Sequence, residues 1–122
     1  MVELDGVRYL CDVGVGGIVP RQPVEMKLEL VQQQGDECYR MERDEHFGWV
    51  LTEQKQGEWQ WIYTFTEEQQ FPIDYVAASF WCEQAPESVF RKQAIIAIRT
   101  EDGRKTVANQ ELRIFTKDVN GE

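Results

Sequence analysis

Trp59-Gln60-Trp61-Ile62-Tyr63-Thr64-Phe65 is aromatic or β-branched at almost every position. Such a run fits a pleated, half-buried strand and little else. Lys55-Gln56-Gly57-Glu58 makes a tight connection into it from a strand at 47–52. Upstream, 37–43 reads as a strand with Cys38 or Tyr39 facing inward, and Gln34-Gly35-Asp36 is a turn. Residues 24–30 alternate apolar and polar side chains, as a strand with one wet face does, and 7–13 reads as another strand. Short strands joined by turns at this spacing predict an antiparallel sheet curled into a small barrel.

The pattern changes after residue 66. Ile73, Val76, Ala77, Phe80 and Trp81 recur at helical spacing, Pro72 suits a first turn, and Pro86 ends the helix. Strands at 94–100 and 105–109 flank Glu101-Asp102-Gly103-Arg104, where Asp-Gly signals a hairpin, and 111–116 reads as a third strand; 118–122 reads as a frayed end. The predicted class is therefore mainly β (α+β): a β-barrel domain over 1–66, then a helix and a short antiparallel sheet over 67–122. The aromatic stripe Trp59, Trp61, Tyr63, Phe65 has period 2 and reads as one face of the core.

Composition narrows the function. The net charge is −9, from 22 acidic and 13 basic residues, and the basic residues are scattered. Without an electropositive stripe, nucleic acid and anionic membrane are disfavoured as partners. No apolar run is long enough to span a bilayer and no signal-peptide pattern is present, so the expected setting is cytoplasmic. Cys11, Cys38 and Cys82 are odd in number and widely spaced; they form neither a disulfide framework nor a zinc pattern, and no metal is expected.

One segment looks like a site. Tyr9-Leu10-Cys11-Asp12-Val13-Gly14-Val15-Gly16-Gly17 runs an apolar strand into an aspartate and then a glycine-spaced loop. A carboxylate at a buried strand end is costly unless it meets a partner. The loop lacks the Lys-Ser/Thr of a P-loop and the following helix of a dinucleotide fingerprint. Spacing alone leaves a bulged strand exit and a ligand loop equally open. His46, the single histidine, lies in a polar loop and reads as solvated rather than as a general base; Glu67-Glu68 and residues 42–45 read as solvated charge.

In order along the chain, several motifs resemble the arylamine N-acetyltransferases. These are residues 9–17, then Pro20 and Pro23, Gly48-Trp49-Val50-Leu51, residues 61–66, Asp74-Tyr75, Ala85-Pro86-Glu87-Ser88-Val89-Phe90, and Asp102-Gly103-Arg104. The resemblance implies acetyl transfer from acetyl-CoA to an arylamine or arylhydrazine through an acetylated cysteine, with a Cys-His-Asp triad. It implies that Asp12 is the triad aspartate, that Gly14, Val15, Gly16 and Gly17 form the loop beside the substrate, and that Ser88 borders the coenzyme A site. Val15 stands where the family usually has phenylalanine, and Glu83-Gln84 stand where it carries Ser-Thr. None of the cysteines sits in the family's Arg-Gly-Gly-x-Cys context, and His46 follows Asp12 instead of preceding it. The expectation is therefore a barrel and partial third domain carrying only the aspartate, inactive alone. It would self-associate or pair with an N-terminal region that supplies cysteine and histidine. The alternative is a non-catalytic binding module derived from the same fold.

Overall fold

A computed structural model describes residues 1–14, 19–100 and 103–116. The chain forms two compact units, Met1–Glu68 and Gln69–Glu122. All strand pairings within the sheets are antiparallel, and the order of strands, helix and short sheet follows the expected class.

In the first unit the barrel wall is divided into two sheets. One holds β1 (Val2–Leu4), β2 (Val7–Leu10) and β3 (Val24–Glu25); the other holds β4 (Gln32–Gln34), β5 (Glu37–Asp44), β6 (Gly48–Lys55) and β7 (Glu58–Phe65). Both line one core of Val24, Met26, Tyr39, Met41, Trp49 and Leu51, against which Leu10, Ile62, Tyr63 and Phe65 pack. Burying side chains of this size is what holds two small sheets together.

The expected strand at 24–30 is cut short. Beyond β3, the Lys27 N–H turns back to the Glu25 carbonyl (2.8 Å) and Glu29 adopts φ +59°, which takes this backbone out of the ladder. That backbone instead makes a parallel bridge of Leu28 with Met41, the Glu29 N–H donating to the Met41 carbonyl (3.0 Å), while glutamines bond the backbone at and before β3. Gln32 accepts the Glu25 N–H (2.7 Å) and donates to the Glu25 carbonyl (3.0 Å); Gln34 does the same with Gln22 (2.8 and 3.0 Å). A side-chain amide has the same donor and acceptor as a peptide group, so each stands in for a ladder rung. Polar alternation gave no hint of β4, whose inward residues are these amides.

The aromatic stripe on β7 also differs from the expected single face. The register of β6 with β7 shifts between Leu51 and Thr52: Leu51 pairs with Tyr63, but Thr52 pairs with Trp61. Ile62 is the extra residue of a β-bulge, and the bulge reverses the alternation. Tyr63 and Phe65 therefore face the core while Trp61 lies outside, edge-on to Phe47 with ring centroids 6.3 Å apart. Trp59 is stacked under the Arg40 guanidinium at 4.3 Å.

In the second unit, α1 (Asp74–Gln84) opens as its sequence suggests: Pro72 occupies the turn, and the Asp74 carboxylate reaches back to accept the Phe71 N–H at 2.8 Å. The predicted apolar stripe exists, but Ile73, Val76, Phe80 and Trp81 are all exposed. A short α2 (Val89–Lys92) follows, then β8 (Ile95–Thr100), β9 (Gly103–Ala108) and β10 (Glu111–Thr116) as a meander. Glu101 and Asp102 of the predicted hairpin, and the end at 118–122, lie outside the described residues. Among the described residues no helix is long and apolar enough to cross a membrane.

Candidate active site

The structure puts Asp12 two residues past the end of β2 rather than in a strand. The reason is local. Asp12 Oδ1 accepts the Gly14 N–H at 2.9 Å, an Asx turn that competes with the ladder and ends it at Leu10. The other oxygen, Oδ2, accepts the Tyr63 hydroxyl proton at 2.7 Å across 51 positions of chain. Asp12 is half-buried, and its carboxylate is thus fixed in both position and plane. A carboxylate offers about four acceptor sites, so two bonds leave others for a further donor.

Tyr63 answers to the same contact. Burial removes water from its hydroxyl, and the Asp12 carboxylate accepts its proton and repels the phenolate. The group is held protonated far above the ordinary tyrosine value of 10.0. Sequence reasoning placed Tyr63 in the core and missed this role. The signal was present: a tyrosine among tryptophans and phenylalanine carries one polar tip, which normally finds a partner when buried.

The other candidate residues are distributed as follows. Gly14 contributes its N–H to Asp12; Val15, Gly16 and Gly17 lie outside the described residues. Ser88 is buried, and its hydroxyl donates to the Cys82 carbonyl at 2.7 Å, tying the turn after α1 to the helix end. His46 is exposed on the β5–β6 connection, where the backbone N–H groups of His46 and Phe47 both donate to Asp44 Oδ1 at 2.8 and 2.9 Å. Cys11, Cys38 and Cys82 are free thiols; the Cys38 thiol donates to Gln33 Oε1. Among the described residues no group of three or more His, Cys, Asp or Glu side chains is placed to hold a metal ion.

Some charge expected to be solvated is structural. Glu67 Oε1 accepts the indole N–H of Trp49 at 2.5 Å, and Oε2 accepts from Arg8 at 2.9 Å. Those donors hold its carboxyl below the ordinary carboxylate range, the tryptophan bond contributing most. Glu42 pairs with Arg40, which also meets Glu29 at 3.2 Å.

The sequence and this mainly antiparallel β fold match one class of known proteins. The family model described as N-acetyltransferase covers residues 1–122. An arylamine N-acetyltransferase from Mycolicibacterium smegmatis is 37% identical over 109 residues, 88% of this chain and 38% of the relative. The solved structure of the M. smegmatis arylamine N-acetyltransferase superposes with a TM-score of 0.78 at 35% identity, over 89% of this chain and 39% of that one. Mycobacterium marinum arylamine N-acetyltransferase, solved in complex with CoA, superposes with a TM-score of 0.75 at 32% identity, over 85% and 38% of the two chains. The chain belongs to the arylamine N-acetyltransferase family. It spans 38% of the length of its M. smegmatis relative.

Proposed function

We propose that Asp12 is the carboxylate of a Cys-His-Asp acetyl-transfer site whose cysteine and histidine are contributed by residues other than Cys11, Cys38, Cys82 and His46. The observation that carries this reading is the double anchoring of Asp12 by the Gly14 N–H and the Tyr63 hydroxyl. Such anchoring fixes the carboxylate and leaves further acceptor positions on it for an imidazole N–H.

The chemistry then follows. Asp12 accepts the histidine Nδ1–H and fixes the tautomer in which Nε2 is free to take the cysteine proton. The thiolate attacks the acetyl carbonyl of acetyl-CoA, and coenzyme A leaves as its thiol with that proton. An arylamine nitrogen attacks the acetyl-cysteine, the histidine takes the amine proton, and the thiolate is regenerated. Coenzyme A enters by likeness to the M. marinum enzyme, and an arylamine by likeness to both relatives. The Ser88 hydroxyl proton is spent on the Cys82 carbonyl, so Ser88 serves the proposed coenzyme A site by holding the turn that follows α1. The three free thiols fit a reducing, cytoplasmic setting.

The test is complementation. The purified chain is assayed for N-acetylarylamine from acetyl-CoA, alone and mixed with the segment of the M. smegmatis relative that precedes the matched region. Turnover is expected in the mixture only, and its loss by several orders of magnitude in Asp12→Ala. Turnover by the chain alone would refute the outside supply of cysteine and histidine. Full activity of Asp12→Ala in the mixture would refute the role of Asp12.

A further inference from the structure

Two side-chain contacts tie the segment running through β2 to the segment running through β7. One is Asp12–Tyr63 and the other is Arg8–Glu67. Four residues forward from Arg8 is Asp12; four residues back from Glu67 is Tyr63. The two contacts therefore run antiparallel along the same pair of segments.

An exposed ion pair of this kind ordinarily has little leverage, because both long side chains must be ordered to form it. Here one partner is already ordered. Glu67 lies two residues past β7 and is held by the indole N–H of Trp49, a core residue 7% exposed whose backbone pairs with Phe65. The Arg43 guanidinium, opposite Trp49 in the β5–β6 pairing, lies 5.1 Å from its ring. The carboxylate that meets Arg8 is thus fixed to the core, and Arg8 is the side chain it captures.

We infer that Glu67 is a positioning residue for Asp12: pinned on Trp49, it holds Arg8 and so sets the path by which the chain leaves β2 and delivers Asp12 to Tyr63. The inference rests on the reading of Asp12 as the site carboxylate only for its catalytic consequence. In a site where a displacement of about 1 Å can cost about a hundredfold in rate, such a tether matters.

The test uses the full chain, labelled with ¹⁵N, as Glu67→Ala and Glu67→Gln. The readout is solvent exchange of the Gly14 amide, the group that donates to Asp12. Glu67→Ala should speed that exchange about tenfold, the factor one such hydrogen bond is worth, while the amides of Met41 and Leu51 in the core keep their rates. Glu67→Gln can still accept from Trp49 and should fall between. Glu111→Ala, which removes the exposed pair with Arg113 in β10, should leave Gly14 unchanged. A Gly14 rate in Glu67→Ala within twofold of the native chain overturns the inference, as does equal acceleration of the core amides. In the complemented assay Glu67→Ala should lower kcat with KM unmoved. If Gly14 responds but the native mixture never transfers acetyl, the positioning stands and the proposed activity fails. If the native mixture is active and Glu67→Ala changes neither Gly14 exchange nor kcat, the positioning fails and the proposed activity stands.

Discussion

The Tyr63 hydroxyl donates to Asp12 Oδ2 at 2.7 Å, joining a turn near the chain start to a strand 51 residues later. The donor comes from the first core-facing position after the β7 bulge, so the contact exists because Ile62 is an extra residue. Removing the hydroxyl tests it. Tyr63→Phe keeps the ring in the core and deletes only the bond to a carboxylate. It should cost about 1.5 kcal/mol, the usual worth of a hydrogen bond to a charged acceptor. Urea unfolding followed by tryptophan fluorescence reads this directly. A change below about 0.3 kcal/mol would mean that water replaces Tyr63 at no cost.

Tyr63 also sets an alkaline limit. Its hydroxyl is protonated in the fold well above the ordinary value of 10.0, whereas the unfolded chain releases the proton near that value. The stability it contributes is fully present below pH 10 and is lost as pH rises beyond it. The urea midpoint of the native chain should therefore fall between pH 9 and pH 11 by more than that of Tyr63→Phe. Parallel curves for the two proteins would remove Tyr63 as the cause.

How much of this was legible in the sequence depends on which physical signal each element uses. The strands at β6, β7 and β10 announce themselves through apolar or β-branched side chains, and β5 through the turn at 34–36 and the inward Tyr39 and Met41 on an otherwise polar strand. β4 does not, because Gln32 and Gln34 satisfy backbone groups with side-chain amides, and no periodicity scale scores that as a strand. Asp12 stood out as a carboxylate that needs partners, but its partners did not. Gly14 is local and Tyr63 is 51 residues away, and the bulge that turns Tyr63 inward has no marker in the sequence. Glu67 looked like solvated charge for the same reason: its donors, Trp49 and Arg8, are brought to it only by the fold.

The glutamine rungs predict a sharp contrast between neighbours. Gln34 is 5% exposed and bonds both backbone groups of Gln22, so Gln34→Ala should destabilise by about 2 kcal/mol through the lost bonds and the unfilled space. Gln33, one residue away and exposed, makes only local bonds to Gly35 and Cys38; Gln33→Ala should stay within about 0.5 kcal/mol. Denaturant midpoints of the two variants decide it. Equal losses would show that β4 is held by its backbone and not by its amides.

Two turn glycines differ in the same way. Gly48 has φ +81°, and a Cβ placed there would lie 2.9 Å from the Phe65 carbonyl oxygen, which is backbone and cannot step aside. Gly57 has φ +84° but opens onto empty space. Gly57→Ala should cost about 1 kcal/mol for the left-handed conformation alone, and Gly48→Ala about 3 kcal/mol, since strain in the β6–β7 pairing is added. Thermal unfolding of the pair checks the ranking; a Gly48→Ala protein as stable as Gly57→Ala would show that the strands separate there at little cost.

Acid should act through Glu67 and Asp44. Both carboxyls sit below their ordinary values of 4.5 and 3.8, Glu67 chiefly through the Trp49 N–H and then Arg8, Asp44 chiefly through the Phe47 and His46 backbone N–H groups. A depressed folded value means the unfolded chain takes up protons first. The stability these groups contribute is present above the ordinary values and is lost as pH falls through the lower folded ones. Lowering pH from 6 to 3 should reduce the urea midpoint and shift Trp49 emission as its indole loses a charged acceptor. Glu67→Gln cannot be protonated, so it should begin with a lower midpoint at pH 6 and lose less on acidification. Its emission should be nearly flat over the range, because its acceptor never changes charge. An acid loss as large in Glu67→Gln as in the native chain would assign the effect to other carboxylates and leave Trp49 without a charged partner in solution.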